Sequence, residues 1–170
     1  MIIMKKDLGL LEELELIIPG FRGYKQKELI REDDALIRNH VFFLLKDAKE
    51  SIEKVLPKVL EKHPNLMEKT DDLRKELIKV SQKIKHASRG YSGLFDRIKI
   101  REEELKTLLE KDYHLVKKTR EITETCNSLP SLVGEETRFK EALDKVEELL
   151  ISLENLIDDR ERIFKFEEVV

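Results

Sequence analysis

EETRFKEALDKVEELLISLENLIDDRERIFKF, residues 135–166, decides the fold. Phe139, Leu143, Val146, Leu150, Leu153, Ile157 and Phe164 fall on a four-three spacing that only Arg160 breaks, and no proline or glycine interrupts them. Steps of three and four put these side chains on one stripe of an α-helix, because 3.6 residues complete a turn. A narrow stripe this long needs partner helices to cover it.

Working backwards, Arg101 to Asn127 repeats the pattern with Leu105, Leu108, Leu115, Ile122 and Cys126. Asp112 and Thr119 interrupt that seam and predict a less completely buried helix, and Ser128 to Gly134, with Pro130, reads as a loop. A helix from Leu66 to His86 carries Leu73, Leu77, Val80 and Ile84. Lys25 to His63 places Ile30, Ile37, Val41, Leu44, Ala48, Ile52, Val55 and Val59 at helical steps. Pro57 lies inside that run and predicts a kink one turn earlier, near Glu53, since proline removes one main-chain hydrogen bond. His63-Pro64-Asn65 ends the run, with Asn65 a candidate cap for the next helix. At the start, Leu8, Leu11, Leu14 and Ile18 form a short apolar stripe that Pro19-Gly20 ends. Its acidic polar face disfavours an anionic membrane and favours packing on the body or on a second subunit.

The chain has 170 residues, 41% charged and 40% hydrophobic, with no tryptophan. That length suits one domain burying roughly 70% of its unfolded surface. The balance favours thin-striped helices over a sheet. Helices of about 25–35 residues extend roughly 40–50 Å, and short loops make neighbours antiparallel. The expected fold is therefore all-α, a single domain over residues 1–170. It is an elongated antiparallel bundle of four long helices, as hairpins 25–86 and 101–166, with a short N-terminal helix over 5–18. Two hairpins that complete their core only by dimerising fit the same seams. Two Gln and four Asn among abundant Lys and Glu match the drift of heat-adapted prokaryotic proteins.

Cys126 stands alone, so no intrachain disulfide forms, and a small core position suits it. No apolar run resembles a signal-peptide core or approaches the ~20 residues of a membrane span, which makes the cytoplasm the default location. Chemistry-bearing constellations are scarce. His40, His63, His86 and His114 have no acid three residues before them, so the paired motifs of di-iron bundles are missing. Glu110 and His114 share a helical face, but one such pair supplies too few ligands for tight zinc binding. The Gly20 to Gly23 and Gly90 to Gly93 tracts lack the lysine of a phosphate loop. Clusters such as Glu32-Asp33-Asp34 carry little specificity in so acidic a chain. No catalytic residue, metal or cofactor is assigned.

Arg-Gly-Tyr occurs twice, at Arg22-Gly23-Tyr24 and Arg89-Gly90-Tyr91, each at a break between helical stretches. Between Arg74 and Arg101 stand nine Lys or Arg and two acids. Basic side chains with aromatics among them grip phosphates and stack on bases. Arg22, Tyr24, Lys25, Arg89, Tyr91, Arg97, Lys99 and Arg101 are thus the candidates for binding an anion or a partner. A plainer reading competes. Residues 135–170 hold twelve acids against six bases and offer neutralisation within the bundle, while Gly23 and Gly90 permit left-handed backbone and the tyrosines cap the core. Net charge is −3 and pI about 5.9, without the basic excess of a dedicated nucleic-acid domain.

At Phe21-Arg22-Gly23-Tyr24-Lys25-x-Lys27-Glu28 and Gly90-Tyr91-Ser92-Gly93-Leu94-Phe95-Asp96 the chain resembles a set of uncharacterised prokaryotic, archaeal-type helical proteins that carry similar tracts in the same order. The likeness spans roughly Gly20 to Lys111. It implies a helical fold and a shared reason for the two loops, and transfers no catalytic residues. The leading expectation is a non-enzymatic helical interaction or scaffold module acting through self-association or a protein partner. Anion or nucleic-acid binding through residues 74–101 with the Arg22 loop is the alternative.

Overall fold

A computed structural model of the chain describes residues 5–26, 29–87 and 102–165. The elements are α1 (Lys5–Ile17), α2 (Ile30–Lys62), a 3-10 turn (Pro64–Leu66), α3 (Met67–His86), α4 (Glu102–Leu132) and α5 (Glu136–Lys165). No strand occurs among the described residues. The all-α bundle of four long helices and a short N-terminal one is thereby established.

Side-chain bonds between helices fix their directions. Thr123 donates to the Leu44 carbonyl and Ser51 to Asn127, so α2 and α4 advance together. Lys69 pairs with Asp144 and Lys83 with Asp158, an equal advance on both helices, so α3 and α5 also run parallel. The turns after α2 and α4 reverse the chain. Two antiparallel hairpins therefore pack side by side in a ring α2, α3, α5, α4, and α1 lies on α4. One continuous core runs through them from Leu11 to Ile157. Each fully buried Leu, Ile, Val or Phe contributes roughly 1.5–3 kcal/mol relative to exposure, so these stripes supply the main drive to fold.

The buried stripe of α2 reads Ile30, Ile37, Val41, Leu45, Ala48, Ile52, Val55 and Val59. Leu45 replaces the expected Leu44, which is half-buried, because steps of four, three and four from Val41 keep the stripe on one line. The helix passes Pro57 without a break and starts at Ile30 rather than Lys25; Tyr24, ahead of it, has left-handed φ of 61°. His63 ends α2, its N–H donating to the Val59 carbonyl. Asn65 does not cap α3; its amide donates instead to Glu136 at the start of α5.

Pro130 does not end α4. Only the bond from its own absent N–H is lost. Ser128 and Ser131 donate to the Thr125 and Ser128 carbonyls, and Val133 N–H closes onto Leu129 O, so the helix reaches Leu132 and the loop shrinks to three residues. Asp112 and Thr119, read as gaps in the α4 seam, are fully buried. Thr119 resolves its polarity by donating to the Leu115 carbonyl one turn back.

At Gly23 the backbone has φ of 68°, and a β-carbon there would sit 2.4 Å from Leu11 Cδ1. Gly23→Ala combines left-handed strain with displacement of α1, and should lower stability by about 1–3 kcal/mol. Gly134→Ala, with open space around it, should be close to neutral. Denaturant unfolding of the two variants measures the contrast.

Candidate functional site

The end of the bundle where α2 begins holds the most concentrated buried charge among the described residues. Gly20 (φ 87°), Gly23 and Tyr24 turn the chain back after α1 so that the Tyr24 ring points into the core, edge-on to Phe21 at 5.4 Å. Asp33, on the first turn of α2, holds this loop. Its carboxylate accepts the Arg22 N–H at 3.1 Å and the Tyr24 N–H at 2.9 Å. Two charge-assisted bonds offset the strain of a non-glycine left-handed residue.

Inside the loop, Tyr24 Oη donates to Asp112 Oδ2 on α4. Arg160 of α5 donates from Nε to Asp112 Oδ1 at 2.6 Å and from Nη2 to Tyr24 Oη at 3.3 Å, and Nη2 lies 2.6 Å from Asp34 Oδ1 on α2. Asp34 also accepts from Arg38 Nε at 2.8 Å, and Arg38 reaches the Lys85 carbonyl near the end of α3. Every long helix and the Arg22 loop meet in this cluster, whose tyrosine, aspartates and arginines are all buried.

Burial raises the Tyr24 phenol well above its ordinary value, and the Asp112 charge adds to that, so it stays a neutral donor. Asp112 is also raised, because desolvation outweighs the attraction of Arg160. Arg160 loses some of its preference for charge to burial, but Asp112 and Asp34 more than restore it and keep the guanidinium protonated. Asp33 is raised by burial, against the pull of its two N–H donors. The charged groups of the cluster pair with one another inside the core.

Three of the residues expected to bind are described. Tyr24 is inside the core, Arg22 is half-exposed with Nη1 3.5 Å from Glu32, and Lys25 is exposed. Arg89, Tyr91, Arg97, Lys99 and Arg101 lie outside the described residues. The rest of the basic stretch is largely paired. Arg74 bonds Asp71, Lys75 lies 3.0 Å from the same carboxylate, and Lys79 and Lys83 reach Glu154 of α5, with Lys83 also 2.6 Å from Asp158. Lys85 rests over the Phe42 ring at 4.6 Å. Acids of the last helix pair with Lys79 and Lys83, whereas Arg74 and Lys75 pair with Asp71 of α3 itself.

Asp33, Asp34, Arg38, Asp112 and Arg160 are the polar residues that the sequence reading missed. The available signal was two charges of opposite sign, Asp112 and Arg160, each interrupting an otherwise apolar seam. Glu110 and His114 are both exposed on α4, and Cys126 is buried with its thiol pushed up to about 12 by desolvation and then by Asp47. No group of three or more potential metal ligands occurs among the described residues.

Between α3 and α5 an open groove of about 470 Å³ is floored by Leu73, Leu150 and Ile151 and edged by Asp72, Glu76 and Glu147. No helix among the described residues is long and apolar enough to cross a membrane. Comparison with protein-family models, curated proteins and solved structures finds no match to this chain.

Arg160→Met removes the shared cation and strands two buried carboxylates, and should cost about 3–5 kcal/mol in denaturant unfolding. Replacing Tyr24 by Phe leaves Asp112 Oδ2 without its donor and takes one acceptor from Arg160 Nη2, and should cost about 1–3 kcal/mol. The pH dependence has a defined sign. An aspartate whose folded pKa lies above its unfolded value binds more protons when folded between the two, so its stabilising effect is complete below about pH 3.9 and is lost as pH rises through the folded value. Asp112→Asn should flatten the fall in stability on raising the pH through that window, as read by urea midpoints measured at successive pH values.

Proposed function

We propose that this chain is a non-enzymatic helical interaction module, a rod whose long faces meet a protein partner or a second copy. The observation that carries this reading is a contrast in how the bundle treats its polar and apolar groups. Its buried charges pair with each other across all four long helices, which gives rigidity, while the α3/α5 seam keeps an open groove with Ile151 60% exposed. A rigid body with a preformed groove loses little entropy on binding.

Anion or nucleic-acid binding is the second reading, and position favours it. The C-terminal end of α3 and the N-terminal half of α4 lie at the end of the bundle that carries Arg22, as the contacts of Arg38 with Lys85 and of Tyr24 with Asp112 indicate. The chain segment that joins α3 to α4 carries Arg89, Arg97, Lys99 and Arg101 in its sequence.

The two readings give different results. A module should form a defined oligomer in light scattering at high concentration, or retain a specific protein from a cell extract. A monomer that retains none overturns it. Anion binding should weaken steeply with salt and fall on changing Arg89 and Arg97 to alanine. Equal binding by that variant removes the second reading.

A further inference from the structure

Two ladders of ion pairs cross the α3/α5 seam. At one end Lys69 bonds Asp144 and lies 3.3 Å from Glu147; at the other, Lys79 and Lys83 reach Glu154 at 3.5 and 3.3 Å. Between the ladders, over about two turns of each helix, no described lysine bridges the helices. Here the groove opens. Its floor is apolar, with Ile151 60% exposed beside the buried Leu73 and Leu150. Along the α3 edge stand Glu68, Lys69, Asp72 and Glu76, and along the α5 edge Glu147 and Glu154, five acids to one lysine.

From this we infer that the α3/α5 groove is a docking site for a cationic amphipathic helix of a protein partner. The inference rests on the interaction-module reading and names the partner's chemistry. A third helix laid between two parallel ones presents a single stripe to the seam, and aliphatic residues at three- and four-residue steps reach Ile151 and Leu150. Lysine or arginine flanking that stripe then falls beside Asp72 and Glu76 on one side and Glu147 on the other. Their stems cover the floor while their charges reach the carboxylates.

Glu147 already faces Lys69 across the seam, so the acids of the α3 edge are the ones available for such exchange. Asp72 lies 3.5 Å from Lys75 and Glu76 3.3 Å from Lys79, both pairs within one helix and with carboxylates at least half-exposed. Pairs of that kind contribute little, so an incoming cation displaces them at small cost. Glu68 makes no ion pair among the described residues. The geometry selects against acidic peptides and nucleic acid, whose charges the same edges repel.

The probe is a fluorescein-labelled synthetic helix with leucines on one face and lysines flanking them, titrated with the full-length chain and read by anisotropy at low and high salt. Its comparators have the same composition with leucines scattered around the helix, or glutamate in place of lysine. Asp72→Lys with Glu76→Lys should weaken binding about tenfold or more, from lost attraction and new repulsion. Ile151→Ser should weaken it about threefold by losing apolar contact. Glu12→Lys with Glu13→Lys, exposed on α1 away from the groove, should change it less than about twofold. All substituted side chains lie on the surface, and circular dichroism with thermal midpoints verifies the fold.

Equal weakening by the α1 pair, equal binding of the scattered peptide, or no effect of Ile151→Ser overturns the groove, as does absence of binding. A partner retained equally by wild type and by the groove variants leaves the interaction reading standing and removes only this surface from it.

Discussion

Arg160 is the interaction on which the architecture depends. Hydrophobic stripes drive the helices together, but stripes of Leu, Ile and Val slide past one another with small penalties. A guanidinium fully removed from water does not. It needs carboxylates at fixed distances, and here Asp34 on α2 and Asp112 on α4 supply them while Tyr24 fills the space between. Misalignment of any of these elements leaves a buried charge without its counterpart, a loss of about 3–5 kcal/mol. The pairing therefore favours the arrangement in which these groups meet.

The Arg22 loop follows from that requirement. For the Tyr24 hydroxyl to reach Asp112, the chain between α1 and α2 has to turn sharply inward, which calls for left-handed backbone at Gly20, Gly23 and Tyr24. Gly23 serves a second purpose, since its missing side chain lets Leu11 pack directly against the loop. Asp33 then holds the turn by its N–H groups, so adjacent aspartates divide the work. Asp33 fixes the backbone and Asp34 faces the arginines. At the first Arg-Gly-Tyr tract, then, Gly23 admits Leu11 and Tyr24 enters the core, while Arg22 stays half-exposed.

How much of this was legible in the letters differed by kind of interaction. The helices were readable because period 3.6 repeats over many turns, and local errors cancel over thirty residues. Leu45 rather than Leu44 on the stripe is the size of error that remains. Boundaries were harder. Pro130 punctuates a sequence strongly, yet it costs α4 one main-chain bond and the helix continues through it to Leu132. The polar cluster was hidden for a different reason. Asp112 and Arg160 weaken the apolar pattern when each helix is read alone, and they become meaningful only when α4 and α5 are placed beside each other. Their sum is a tertiary property. The candidate binders Arg22, Tyr24 and Lys25 were singled out as a group by proximity in sequence, whereas the fold puts one in the core and two towards solvent.

The same division explains why charge reads so differently inside and outside this bundle. Inside, few groups carry large consequences: burial pushes Asp112 and Tyr24 towards their neutral forms, and Arg160 stays charged because two carboxylates face it. Outside, many lysines and glutamates make pairs that are individually worth under about 1 kcal/mol. Such pairs add little to fold stability, but they decide where the surface is bridged and where it is open. On the α3/α5 face they close both ends of a groove and leave its middle acidic over an exposed Ile151. A protein whose interior is locked by a few strong pairs can leave its surface pairs weak, and weak pairs are the ones that an approaching partner exchanges.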